Sequence, residues 1–180
     1  MSTTSADVES LLGALSAYRR ARVEFLEAID CVGSNRDPFA EFAERIALAA
    51  LGGTMATSRT QKGWDFTDPQ GLRVQVRYLA NPAGRWVNEH RVDFRGAGCE
   101  RYALLIIEAF EPKALVVFDA ERLGSVCAVL GKRHGGQEHT LQLTQANYRA
   151  LVSDPARFVE LGVQVADLES AQGAVDKALG

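Results

Sequence analysis

Apolar residues recur at helical spacing near the start of the chain: Val8, Leu11, Leu12, Leu15 and Tyr18, then Phe25, Leu26 and Ile29. They predict a long amphipathic helix over residues 6–30, with Arg19, Arg20 and Arg22 interrupting the stripe and a break expected near Arg22. Such a helix either covers the sheet or pairs with another copy as a homodimer seam. Gly33-Ser34-Asn35-Arg36 reads as a connector. Asp37-Pro38 then supplies an N-cap followed by proline at the first helical position. The second helix has Phe39, Phe42, Ala43, Ile46 and Ala50 as its buried stripe and ends at Gly52-Gly53.

Beyond Gly63 the period changes from that of a helix to that of a strand. Trp64, Phe66, Val74 and Val76 alternate with Asp65, Arg73, Gln75 and Arg77. Between them, Pro69-Gln70-Gly71 reads as a three-residue hairpin loop with Gly71 in the left-handed conformation. A loop of that kind closes on Asp68 and Leu72 and sets Asp65 opposite Gln75, on the polar face of a hairpin running from about Gly63 to Ala80. Asn81-Pro82-Ala83-Gly84 breaks the pattern. Tyr102–Ala109 and Ala114–Asp119 are nearly continuous apolar runs, as expected of strands covered on both faces. Residues 121–131 read as helix or strand, and 139–143 as a short strand. Thr144 caps a helix to about Val152, Asp154-Pro155 starts another that stops at Gly162, and the tail from Asp167 reads as helical.

The expected fold class is therefore α/β, with a mixed central sheet flanked by helices and an extra N-terminal helix. The central hairpin is antiparallel, and the later strands join it in parallel. Three segments follow: the N-terminal helix and connector over residues 1–35, the core over 36–168, and a tail over 169–180.

Composition narrows the picture only slightly. A chain of 180 residues suits one core, and a formal charge of -3 offers no global attraction to nucleic acid. No apolar run is long enough to cross a membrane. The polar stretch from Met1 to Asp7 lacks a signal-peptide pattern, and three widely spaced cysteines read as reduced thiols, so a cytoplasmic protein is expected. Arg85, Arg91, Arg95, Arg101 and Lys132-Arg133-His134 read either as phosphate contacts or as ordinary surface charge. His90, His134 and His139 form no zinc pattern.

The chemistry lies in the hairpin. Asp65, followed after ten residues by Gln75-Val76-Arg77, resembles the Asp…(Asp/Glu/Gln)-x-Lys signature of the restriction-endonuclease-like, or PD-(D/E)XK, nuclease superfamily. The surrounding wording is similar too. Asp37-Pro38-Phe39-Ala40-Glu41-Phe42-Ala43 opens a helix, Lys62-Gly63-Trp64-Asp65 leads into a strand, and Gly71-Leu72-Arg73-Val74-Gln75-Val76-Arg77 follows. The likeness spans roughly residues 36–165.

The resemblance implies a restriction-endonuclease-like fold and a DNA endonuclease dependent on Mg²⁺ or Mn²⁺. Asp65, Gln75 and Glu41 would hold the metal, and Arg77 would stand at the lysine position. In such chemistry the metal polarises the phosphate and activates water, while a fixed cation neutralises the transition state. Two departures support an alternative. Gln75 is neutral, and Arg77 stays charged where lysine can release its proton. The alternative is a catalytically degenerate nuclease-like module that binds DNA or a protein partner. Lys62 would be a substitute ammonium. Glu41 has a second reading as well, a surface pair with Arg45 four residues on. So has Arg77, as a cross-strand ion pair with Asp65.

Overall fold

A computed structural model describes residues 5–57, 63–81, 83, 86, 90–93, 98–131 and 140–171, with residues 5–6 and 90–93 described by their backbone alone. Helix α1 spans Ser5–Ala28 without the break expected at Arg22. Arg22 does not disrupt the helix because its guanidinium has work at the surface. It donates to the carbonyls of Ser34 (2.8 Å) and Arg36 (2.9 Å), pinning the connector to the helix. The C-terminal part of α1 docks through buried Leu26 and through Phe25, whose ring lies 5.8 Å from that of Phe42. The first half does not cover the sheet. Val8, Leu11, Leu12, Leu15 and Tyr18 are 47–68% exposed.

Helix α2 spans Pro38–Leu51, capped as expected: the Asp37 carboxylate accepts the N–H of Phe39 at 2.8 Å and of Ala40 at 3.4 Å. Gly52 and Gly53 end it with φ of 72° and 118°. Gly53 is forced by contact as well as by conformation, since a Cβ there would lie 2.1 Å from the Thr67 carbonyl oxygen.

Strands β1 (Thr54–Met55), β2 (Phe66–Thr67), β3 (Arg73–Asn81), β5 (Arg101–Glu108), β6 (Glu111–Asp119) and β8 (Val163–Asp167) form a mixed six-stranded sheet in the order β1-β2-β3-β5-β6-β8. Strand β4 (His90–Asp93) pairs with β7 (Thr140–Leu143) as a separate ribbon. Within the six-stranded sheet β3 and β5 run parallel, and the other neighbours are antiparallel. Helices α3 (Leu123–Leu130), α4 (Gln145–Ser153) and α5 (Pro155–Val159) complete the fold, which is α/β with helices on the sheet.

Two apolar layers explain the unbroken runs of β5 and β6. Ala103, Leu105 and Ile107 pack with Ala43 and Ala47 of α2, while Leu104, Ile106 and Phe118 pack with Val126, Leu151 and Phe158 on the opposite face. Residues 121–131 are helical rather than strand, since Leu123, Val126 and Cys127 point into that second layer at helical spacing. Strand β8 ends at Asp167, and the described residues 169–171 of the tail that follows are helical. The register of β8 on β6 runs from Val163 opposite Phe118 to Asp167 opposite Ala114. The strands β5 and β6 are joined by Ala109 and Phe110, both with positive φ (51° and 66°), a two-residue reversal made without glycine. Among the described residues no helix is long and apolar enough to cross a membrane.

Candidate functional site

The site is built on the hairpin loop. Gly71 has φ 82°, the Gly71 N–H donates to the Asp68 carbonyl, and the Asp68 N–H donates to the Leu72 carbonyl, so the loop closes where the sequence places it. The buried Asp68 carboxylate holds it: one oxygen accepts the N–H groups of Gln70 (3.0 Å) and Leu72 (2.9 Å), the other accepts from Arg101 at 2.6 Å. Arg101 is therefore an internal cation that anchors the loop.

Strand β2 is shorter than the hairpin reading expects. It pairs with β3 only at Phe66–Val74 and Thr67–Arg73. Asp65 lies in a bend just before it, its N–H still donating to the Val74 carbonyl at 2.8 Å. Beyond that backbone bond the Asp65 side chain extends the pairing to β3. Its Oδ2 accepts the Val76 N–H at 2.6 Å and the Gln75 carboxamide N–H at 2.7 Å. Gln75, expected on the polar face of the hairpin, is buried. Arg77 is half exposed, with Nη1 3.9 Å from Asp65 Oδ2 and donating to the Val76 carbonyl at 2.7 Å. The predicted neighbours Asp65, Gln75 and Arg77 thus meet at one edge of β3.

The helix acids approach the same edge from α2. Glu41 is 1% exposed, so it is not half of a surface pair with Arg45. Arg45 instead donates to the Asp30 carbonyl at 2.9 Å. Glu41 accepts from Ser34 Oγ at 2.5 Å, with Cys31 Sγ at 3.5 Å and Arg36 Nη1 at 3.8 Å. Glu44, 3% exposed, is gripped by both ends of the Arg36 guanidinium, Nη1 at 3.0 Å and Nη2 closer still. Burial holds the Glu44 carboxyl above its ordinary range against the opposing hydrogen bond from Arg36, and the charges of Asp65 and Glu41 add to the rise. The Glu44 hydrogen bond holds Arg36 more firmly protonated than usual, with Asp65 among the acids contributing. Asp65, Glu41 and Glu44 therefore share one field, balanced by Arg36.

Sequence reasoning missed Arg36 and Glu44. The available signal was spacing: Glu44 follows Glu41 by three residues, one helical turn on, and is next to Ala43 in the buried stripe. Lys62, Arg85, Arg95, Lys132, Arg133, His134 and His139 lie outside the described residues, as do the side chains of His90 and Arg91.

A divalent cation held by Asp65, Gln75 and Glu41 needs oxygens turned toward one point. Here Asp65 Oδ2 receives two N–H groups, Gln75 presents its N–H edge, and Glu41 faces Ser34 and Cys31. Among the described residues no three His, Cys, Asp or Glu side chains are grouped to hold a metal. Arranged this way, the three groups do not turn their oxygens toward one point. Among known proteins, the chain matches no family model and no curated sequence.

Proposed function

We propose that this chain is a catalytically degenerate restriction-endonuclease-like module that binds DNA through its phosphates. The observation carrying this reading is the pair of hydrogen bonds that Asp65 Oδ2 accepts from the Val76 N–H and the Gln75 carboxamide N–H. The acid that would be the metal's anchor is used as a backbone cap. Half-exposed Arg77 beside it offers a planar guanidinium suited to a phosphate. With a chain charge of -3, binding rests on this local cation and falls with salt in proportion to the few phosphates it neutralises.

A second reading, a DNA endonuclease dependent on Mg²⁺ or Mn²⁺, is favoured by one observation: Asp65, Glu41 and Glu44 act together on the Arg36 guanidinium. Fluorescence anisotropy with duplex, branched and single-stranded DNA, followed by incubation with either metal, separates the two. Salt-sensitive binding that Arg77→Ala weakens at least tenfold, without cutting, is the expected result. Metal-dependent cutting abolished by Asp65→Ala establishes the nuclease instead. Absence of binding to every DNA form rejects DNA as the partner and leaves a protein.

A further inference from the structure

Three arginines of the six-stranded sheet are held in different ways. Arg101 donates to the buried Asp68 carboxylate at 2.6 Å. Arg73 is gripped by Glu100 through both Nε and Nη2. Arg77 is half exposed, and its Nη1 stands 3.9 Å from Asp65 Oδ2. The close contact of Arg77 is with the Val76 carbonyl, at 2.7 Å.

The backbone explains this arrangement. The N–H and C=O of one strand residue point to the same side. At Val76 that side lies beyond the last backbone bond from β2, the one from Asp65 to Val74. Side chains take both groups: Asp65 Oδ2 accepts the N–H, and Arg77 Nη1 donates to the C=O. A carboxylate and a guanidinium are thereby set beside one another on the edge of β3. Neither group needs the other to stay satisfied. Asp65 Oδ2 also accepts from the Gln75 carboxamide, and Gln75 Nε2 lies 3.5 Å from the Val76 carbonyl. The guanidinium can therefore swing outward without stranding the acid.

We propose that Asp65 is a positioning residue for anion binding: its charge holds the Arg77 guanidinium down on the edge of β3, and a DNA phosphate competes with it for that guanidinium. The proposal rests on the phosphate-binding reading above. Glu41 and Glu44 carry like charge nearby, but Arg36 stands against both of them. Asp65 is the acid paired with Arg77. An ion pair of this length, with one partner half exposed, is weak, so the restraint amounts to about threefold in affinity. Added salt screens it further.

Fluorescence anisotropy with labelled duplex and single-stranded DNA, in EDTA and at low salt, tests this on the full chain. Wild type, Asp65→Asn, Arg77→Ala and the double variant are compared. Asparagine keeps an oxygen for the Val76 N–H and loses the charge, and circular dichroism checks the fold. Asp65→Ala supplies a second neutral side chain. Both neutral variants should bind about threefold tighter than wild type, and the gain should vanish in the Arg77→Ala background. A gain that persists without Arg77 overturns the proposal, because general repulsion of DNA by the acid then accounts for it. Neutral variants that bind no tighter than wild type, while Arg77→Ala still weakens binding, overturn it too and leave the phosphate reading standing. Binding indifferent to Arg77, or no binding by wild type and neutral variants alike, overturns both.

Discussion

Asp65 Oδ2 accepts the backbone N–H of Val76 at 2.6 Å, at the point where β2 stops pairing with β3. A charged acceptor on a strand N–H is worth more than a neutral one. Asp65→Ala should lower the unfolding free energy by about 2 kcal/mol, and Asp65→Asn by less, since its oxygen still accepts. Urea denaturation measures both. A residue serving chemistry alone would leave the midpoint where it was.

Arg36 and Glu44 should behave as a coupled pair. Arg36→Gln leaves Glu44 buried without its cation and should cost about 2 kcal/mol. Arg36→Gln with Glu44→Gln should cost less than the sum of the singles, a coupling measured by a double-mutant cycle in urea. The pH dependence has a definite sign. The Glu44 carboxyl is raised, chiefly by burial, so the stability tied to its protonated form is present below the ordinary carboxylate pKa and is lost as pH rises through the folded value. Glu44→Gln should escape that loss, and its stability relative to wild type should increase from acid toward neutral pH.

Gly53→Ala should cost about 2–3 kcal/mol, since it combines an unfavourable φ of 118° with a Cβ 2.1 Å from the Thr67 carbonyl oxygen. Thermal unfolding checks this. Gly13→Ala is the contrasting substitution, because a Cβ there meets nothing within 4 Å, and it should stabilise α1 slightly.

At the β5–β6 reversal, Ala109→Gly should stabilise the protein by about 1 kcal/mol by relieving a left-handed alanine. Phe110→Gly should gain less, because Phe110 stacks on Phe39 with ring centres 5.8 Å apart. Comparing the two urea midpoints separates backbone relief from lost packing.

Tyr148 stacks on Trp86 at 5.4 Å, and burial, with the Glu108 charge adding, pushes its hydroxyl up to about 12. The unfolded chain then releases this proton first. Stability is complete below the ordinary tyrosine value of about 10 and declines until the folded group titrates. Tyr148→Phe should flatten the alkaline limb of the stability profile, and phenolate absorbance reads the folded pKa.

The loop at Gly71 was legible because few residue patterns close a hairpin, and the register of Asp65 against Gln75 followed from it. The cap at Asp37 and the doubly covered strands β5 and β6 were legible for similar local reasons. The burial of Gln75 and Glu44 was not. Each depends on what packs over a polar residue, and alternation along a strand or helix does not carry that information. Strand β8 was hidden for the same reason: Val163-Gln164-Val165-Ala166-Asp167 is too short to announce itself, and pairing with β6 supplies the partners that make it a strand. Ala109-Phe110 carries no turn residue at all, so only the meeting of β5 and β6 reveals the reversal.

Arg22 ties α1 to the backbone of Ser34 and Arg36, and those two residues in turn grip Glu41 and Glu44. Trimming the chain to begin at the capped helix would cut through this relay. The remainder would keep its sheet while its acids lost their anchoring, so neither part could be transplanted or studied in isolation without changing the other.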